Sequence, residues 1–574
     1  MSRGISDDDI ESVIGDAVDE PARTGWATVD KTVFGVSSGI IVVVCLLGVF
    51  FTDAVGAGAS TALGWVTSNL GWLFILGASG FVVFALVLAF GRYGSIPLSR
   101  EGQKTEFSTL SWVSMMFSAG MGIGLMFYGV FEPVTHLASP PPFVDAEPNS
   151  PEAANAAMAY TFFHWGLHPW AIYAVVGLAL AYSTYRMGRG NLMSSPFQAI
   201  FGRDRIVNKG WGKPIDILAI ICTKFGSATS LGLGALQIAA GFSLLTTGEF
   251  ADDPGTALPI IIICVLTVGV VFSAASGLAK GIKWLSNTNM VLSAVLVVFV
   301  FVVGPTVFIL NLLPSAVGAY LADLVPMSFH SAVFGGSDWL ASWTIFYWAW
   351  WISWTPFVGT FIARISRGRT IREFVLGVLL VPTAVSILWF VVFGGAGLHL
   401  QLGGIDIAGT GSEAAGFFAA LQQYPFFIGS ALVVMVLTAV FFVSGADAGA
   451  LVLGTLSSRG RKEPWKPLVI FWAVLTGAVA AVLLFVGGLG ALQTFTILAA
   501  TPFVLIIIGL CVSLYVDLRR DPLRKRTVGP VRTSSEVLGT VPFTRPATDG
   551  DGDGDGDGAP SDAVPLPVDD DERN

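Results

Sequence analysis

Twelve mostly apolar stretches run through the chain, each long enough to cross the hydrocarbon core of a bilayer as a helix of about 20 residues. They fall at roughly 33–52, 70–90, 109–131, 157–183, 215–247, 257–278, 287–312, 341–363, 373–396, 424–455, 466–488 and 491–516. A soluble fold does not accommodate them. Of 574 residues, 53% are hydrophobic and 12% charged, about half the charge of an ordinary soluble protein. In lipid each span must satisfy its own backbone, so the expected fold is an all-α polytopic membrane protein. The fifth and tenth stretches exceed what one crossing needs, and a tilt or a break is expected in each.

The basic residues test the count. Thirty of the 31 Lys and Arg fall in the two terminal regions or in the even-numbered loops, such as Arg92–Lys104, Arg186–Lys213, Lys280–Lys283, Arg364–Arg372 and Arg459–Lys466. The odd-numbered loops hold acids instead, among them Glu132, Asp145, Asp252, Asp253, Asp323 and Glu413. Positive charge stays on the cytoplasmic side, so twelve helices with both termini cytoplasmic, in the cell membrane, are expected. The remaining basic residue, Lys224, lies inside the fifth span. Residues 313–335 are too polar to cross and are expected to form an amphipathic helix on the outer surface.

Net charge carries less information than its placement. Residues 1–31 and 549–574 hold 18 of the 40 acidic residues against four basic ones, which does not indicate nucleic-acid binding. The run Asp549 to Gly558 alternates Asp and Gly without an EF-hand ligand pattern and is expected to be a solvated, disordered tail rather than a calcium site. The basic stretch Arg519 to Arg526 is expected to be an ordinary positive-inside anchor. Cys45, Cys222, Cys264 and Cys511 sit in apolar runs without metal-like spacing and are expected to be small buried hydrophobes. The first 31 residues are acidic and polar, so no cleavable signal is expected and the first span serves as the insertion signal.

Three segments carry chemistry. In the third span, Gly120, Gly122 and Gly124 alternate, each weakening a helix by roughly 1 kcal/mol relative to alanine. Unwound backbone at that depth lines cavities, and broken helices of this kind hold ligands and ions in secondary transporters; close helix packing is the plainer reading. In the eighth span, Trp339 to Phe357 holds six of the 17 tryptophans, and Trp343, Tyr347, Trp350, Trp351 and Trp354 follow helical spacing on one face. Pro356 then removes a backbone bond. The fourth span adds His164, Trp165, His168, Pro169, Trp170 and Tyr173. Each aromatic taken singly reads as core or interfacial belt. Two mid-membrane clusters beside a Gly-broken helix suggest a cage for a quaternary ammonium, which has no N–H to donate and is attracted to aromatic faces by about 0.5–2 kcal/mol each.

These segments, Gly120–Pro133, His164–Tyr173 and Trp343–Phe357 with the following Ala363–Arg369, resemble the betaine/choline/carnitine transporter family across spans three to twelve. The resemblance implies a LeuT-like inverted five-plus-five repeat, with 109–312 and 341–517 as repeats. Residues 32–108 form two extra helices in front, 313–340 the surface helix and loop, and 1–31 and 518–574 the cytoplasmic tails. It also implies a homotrimer, a substrate box of Trp165, Trp170, Tyr173 and Trp351, and a cytoplasmic path lined by Trp350, Trp354 and Phe357.

Choline-specific relatives carry Asp at the position of Gly124, and no other acid is read at that depth in spans three, four or eight. This points to a zwitterion, glycine betaine, because a buried bare cation wants a carboxylate nearby. Backbone N–H groups freed around Gly120, Met121, Gly122 and Gly124 are candidates to receive the betaine carboxylate. By resemblance, one sodium site maps to Ser118 and Met121 with Phe441, Ser444 and Gly445, where a hydroxyl is missing. A second maps to Thr223 and Ser227. Lys224 between them either stands in for the first sodium, exchanges a proton, or pairs with Asp447 or a carbonyl while sodium coupling stays intact. No cofactor is expected beyond a coupling Na+ or H+.

The function expected is secondary active import of a quaternary-ammonium solute by alternating access. The alternative is a sodium-independent or proton-coupled choline, carnitine or betaine transporter or exchanger. A channel would show rings of like side chains and a membrane enzyme a nucleophile–base pair or metal cluster. His164 and His168, four apart, are expected to pack and cap rather than bind metal, and no catalytic residue is expected.

Overall fold

The computed structural model describes residues 25–525, apart from 101–102, 121, 249–254, 277 and 411. The acidic tail up to residue 24 and the tail from 526, with its Asp–Gly run, lie outside the described residues. Among the described residues the structure is helical, with a single isolated bridge between Pro97 and Thr370.

Helix α1 (Lys31–Phe50) starts where Asp30 caps the N–H groups of Thr32 and Val33, and α2 (Thr52–Phe90) follows after one residue. The third span is split into α3 (Thr109–Gly120) and α4 (Ile123–Ala138), and the fourth into α5 (Pro151–Trp165) and α6 (Leu167–Ala181). Then come α7 (Lys213–Thr247), α8 (Ala257–Ser276), α9 (Leu278–Val303) and α10 (Thr306–Phe329). The second half comprises α11 (Phe346–Ile365), α12 (Ile371–Leu402), the short α13 (Gly416–Gln422), α14 (Phe427–Ser457) and α15 (Lys466–Arg520). The 55-residue α15 breaks at Gly487 and Gly488, whose φ of 60° favours glycine. That break falls at the expected boundary between the last two apolar stretches.

Among the described residues, nine helices are long and apolar enough to cross a membrane. The tryptophan-rich α11, twenty residues long, is not one of them, because Trp and Tyr each carry a polar group that lowers mean hydropathy. The run from Pro151 to Arg186 lies at the centre of the bundle with 94% of its apolar window buried, whereas the windows in α8 and α10 are 22% buried.

The fifth and tenth stretches form α7 and α14, helices of 35 and 31 residues without a break. Two expectations need correction. The seventh span does not reach residue 312. It ends at Val303, because Pro305 has no N–H for the carbonyl of Phe301, and the Thr306 hydroxyl takes that carbonyl instead at 2.6 Å. Residues 313–335 are less polar than expected: most of them belong to α10, which is long and apolar enough to cross a membrane. One stripe of α10, Ile309, Leu312, Ala316 and Tyr320, packs on its neighbours, while the exposed face mixes Leu310, Leu321 and Val325 with Asn311, Ser315 and Asp323.

At one end of the bundle, Asp521 receives the Tyr182 hydroxyl at 2.6 Å and the Arg186 guanidinium at 2.5 and 2.9 Å. Arg186 also donates to the carbonyls of Pro97 and Ser99, so the end of α15 is tied to two loops.

A candidate aromatic substrate site at the helix breaks

The site begins with two interruptions. Gly122 is fully extended, with φ −168° and ψ 178°, and α4 starts after it with no side-chain cap. The first N–H groups of α4 therefore lack intrahelical partners, and the positive end of its dipole lies beside the cavity. At the second interruption Gly166, with φ −100° and ψ −121°, divides α5 from α6. The carbonyl of His164 is freed there and accepts the Trp351 indole N–H at 3.0 Å. The irregular backbone is thus satisfied by a side chain of α11.

Between the breaks lies a cavity enclosing about 550 Å³ of space not filled by atoms, part of it open to solvent. Its wall includes Gly122 and Gly124 of the third span, Trp165, Trp170 and Tyr173 of the fourth, and Trp350, Trp351 and Trp354 of α11. Trp350 and Trp351 stack with ring centroids 4.8 Å apart, and Trp165 meets Trp351 edge-on at 5.0 Å. Gly124 cannot carry a side chain in this arrangement. A Cβ there would lie 2.6 Å from Trp350 and 2.7 Å from Trp165. The Trp350 N–H donates to Ser230 at 3.1 Å, while the Trp354 N–H is buried without a hydrogen-bond partner.

Helix α11 is preceded by a π-helical turn, Ala341–Ile345. Its aromatic file is divided in use. Trp350, Trp351 and Trp354 line the cavity, whereas Trp343 and Tyr347 pack against a layer formed by Tyr128, Phe131 and His136. Pro356 lies inside α11 and leaves the Ile352 carbonyl without a backbone donor; the Thr355 hydroxyl donates to it at 2.7 Å.

Behind the cage sits a carboxylate that the sequence pattern assigned to an outer loop. Glu132 is in α4 and fully buried. Its Oε2 accepts the Trp165 indole N–H at 2.7 Å and the Tyr347 hydroxyl at 2.5 Å, and its Oε1 faces His164 Nδ1 at 2.7 Å. His164 Nε2 lies 3.0 Å from the Thr344 hydroxyl, so a neutral ring with its proton on Nδ1 satisfies both contacts. His136 Nε2 lies 3.7 Å from Oε1, and neither of its ring nitrogens has a hydrogen-bond partner. The ligand atoms of Glu132, His136 and His164 lie within 4.8 Å of one another, which is the spacing of a possible metal site, although Glu132 and His164 already use each other. Glu132 lies in the same helix as Gly124, eight residues further on and beyond the expected end of the third span at 131, since α4 runs on to Ala138.

The remaining candidate residues are scattered. Phe357 touches Trp354, with ring centroids 5.8 Å apart, but is not part of the cavity wall. Met121 and the Ser118 side chain lie outside the described residues, and Gly120 is the last residue of α3. Thr223 has a buried hydroxyl without a hydrogen-bond partner. Ser227, one turn on, faces α14, its Oγ 3.6 Å from where a Cβ on Gly449 would stand. Ser444 donates to the Phe441 carbonyl at 3.3 Å and accepts from Asn289 of α9 at 3.2 Å, while Gly445 has open space beside it.

Lys224 points elsewhere. It is fully buried and donates to the Trp472 carbonyl at 2.7 Å and the Thr476 hydroxyl at 2.5 Å, both on α15, with the Trp472 ring 4.9 Å away. Asp447 instead accepts from the Ser273 hydroxyl. His164 and His168 lie on either side of the Gly166 break and both meet Phe163 and Trp348; His168 stacks on Trp348 and faces Ser328 at 3.2 Å. Ser230 and Ser386, which also line the cavity, had no pattern in the sequence to mark them.

Membrane-length helices broken around an aromatic cavity are the build of a solute transporter rather than an enzyme. Comparison with known proteins agrees: the chain belongs to the betaine/carnitine/choline transporter family, whose model matches residues 32–523. It is 44% identical over 494 residues to the glycine betaine transporter OpuD of Bacillus subtilis, covering 86% of this chain and 95% of that one. It is 41% identical over 519 residues to the betaine/ectoine transporter LcoP of Corynebacterium glutamicum, covering 89% and 81%. Glycine betaine transporter 1 of Vibrio parahaemolyticus is 39% identical over 535 residues, covering 91% and 100%.

Proposed function

We propose that the protein is a secondary active transporter that imports glycine betaine by alternating access, with the tryptophan and tyrosine cage holding the trimethylammonium. The observation that carries the reading is the pairing of unlike ends in one cavity. Aromatic faces of Trp165, Trp170, Tyr173 and Trp351 suit a cation without N–H groups. The uncapped start of α4 and the unpartnered Trp354 N–H suit a carboxylate. A zwitterion uses both, whereas choline leaves the second set idle. The relatives named above as betaine transporters support the same choice.

Twelve spans with both termini cytoplasmic, an inverted five-plus-five repeat and a homotrimer complete the proposal. Sodium is the proposed coupling ion, held at Thr223 and Ser227, where a buried hydroxyl has its hydrogen bonds to spare. Lys224 is then a structural lysine, a reading supported by its bonds to α15.

The test is uptake of labelled glycine betaine into proteoliposomes with an inward sodium gradient, repeated with potassium in place of sodium. Saturable uptake that needs sodium is the expected result. Uptake indifferent to sodium but driven by a pH gradient would move the coupling to protons, and no uptake under either condition would overturn the betaine reading.

A further inference from the structure

We propose that Glu132 is a specificity-determining residue: its carboxylate, bonded to the Trp165 N–H and the Tyr347 O–H behind the cage, makes the aromatic wall more electron-rich and so selects a cationic head over an uncharged one of the same shape. The inference rests on the trimethylammonium reading of the cavity.

Glu132 Oε2 receives both donors, at 2.7 and 2.5 Å. An anionic acceptor pulls each proton outward and pushes electron density back onto the ring, deepening the negative face that attracts a cation. Tyr347 passes the effect inward, because its ring stacks on Trp350 and Trp351 at centroid distances of 6.3 and 6.0 Å. Among the described residues no Lys or Arg pairs with the carboxylate, and His164 is satisfied as the neutral tautomer its contacts allow. His136, 3.7 Å away, faces Trp343, Trp339 and Tyr160 on its other sides.

Position matters as much as charge. Glu132 lies eight residues beyond Gly124 in α4, roughly 12 Å along the axis from the cavity end at 1.5 Å per residue. The helix thus carries a positive end beside the cavity and a fixed negative charge behind the cage. A zwitterion lying between them has its ammonium towards Glu132 and its carboxylate towards the start of α4.

The test compares glycine betaine with tert-butylacetate, which has the same shape and carboxylate but an uncharged carbon in place of nitrogen. Binding to the full chain in detergent is followed by tryptophan fluorescence. The wild type is expected to prefer betaine, and Glu132→Gln to weaken betaine about tenfold, the scale of one charge lost through a low-dielectric layer, while tert-butylacetate changes less than about twofold. Equal weakening of both ligands would reduce Glu132 to a structural part and overturn the proposal. Glu132→Asp keeps the charge and is expected to keep the preference within about twofold, on the same scale. If the Gln variant does not fold, the Asp variant decides, and a lost preference there overturns the proposal. A wild type with no preference for betaine would instead overturn the trimethylammonium reading of the site.

Discussion

Glu132 and Lys224 are both ionisable, both fully buried and both embedded in apolar helices, yet their partners differ in kind. Glu132 gathers side chains from α5 and α11: Trp165 is part of the cage, and Tyr347 stacks on Trp350 and Trp351 of it. Lys224 bonds to a carbonyl and a hydroxyl of a single helix, α15, away from the cavity wall. Burying either charge is costly, so each needs a reason to be there. The carboxylate holds the chemistry of the site, whereas the ammonium joins two helices. A charge in a membrane helix marks function through the groups it touches, not through its cost alone.

That contrast can be broken by substitution. The largest effect is expected from Glu132→Ala, which strands three buried donors at about 1–3 kcal/mol each. Betaine binding should fall roughly a hundredfold or more and the melting temperature in detergent should drop with it. Gly124→Asp comes next. Its Cβ would lie 2.6 Å from Trp350, and overpacking of that order costs about 1–3 kcal/mol, so betaine affinity should fall roughly ten- to a hundredfold by titration. Trp354→Phe keeps a ring but removes the free N–H, and is expected to weaken betaine about tenfold with choline little changed, measured side by side. Lys224→Met should leave betaine KM and sodium dependence of uptake within about twofold, with stability lowered by no more than about 1–3 kcal/mol. A loss of sodium dependence there would erase the difference between the two charges.

A third charged group, at the rim, supplies the smallest effect at neutral pH. Burial works against ionisation of Asp521, but Arg186, Tyr182 and the Leu523 N–H outweigh it and hold the carboxyl below its ordinary range. A depressed folded value contributes stability above the unfolded pKa, about 3.9, and loses it as pH falls through the folded one. Thermal melts below pH 4 should therefore bring wild type and Asp521→Asn together, while melts at pH 7 hold them apart.

Much of the site was legible in the sequence because its residues break a local rule. Alternating glycines in a membrane span, tryptophans through the middle of a helix and His-Pro beside more tryptophans each lack a plain structural reason, and Gly122, Gly124, Trp165, Trp170, Tyr173, Trp350, Trp351 and Trp354 do meet in one cavity. Glu132 was not legible. An acid just after an apolar run looks like the start of a loop, and only the partners supplied by other helices show that it is buried. Helix ends failed for a related reason. Pro305 stops α9 early, yet Pro314 and Pro326 sit inside α10, and no local pattern separates the two behaviours.

The hydroxyls beside Pro305 and Pro356 have a mechanical consequence. Each proline deprives one carbonyl of its donor, and each carbonyl is taken by an adjacent threonine, Thr306 for Phe301 and Thr355 for Ile352. A helix that flexes at such a point need not expose a bare oxygen to lipid, because the substitute donor travels with the bend. Compliance is thereby placed at the end of α9 and near the middle of the cage helix at little energetic penalty, where an ordinary membrane helix would be stiff.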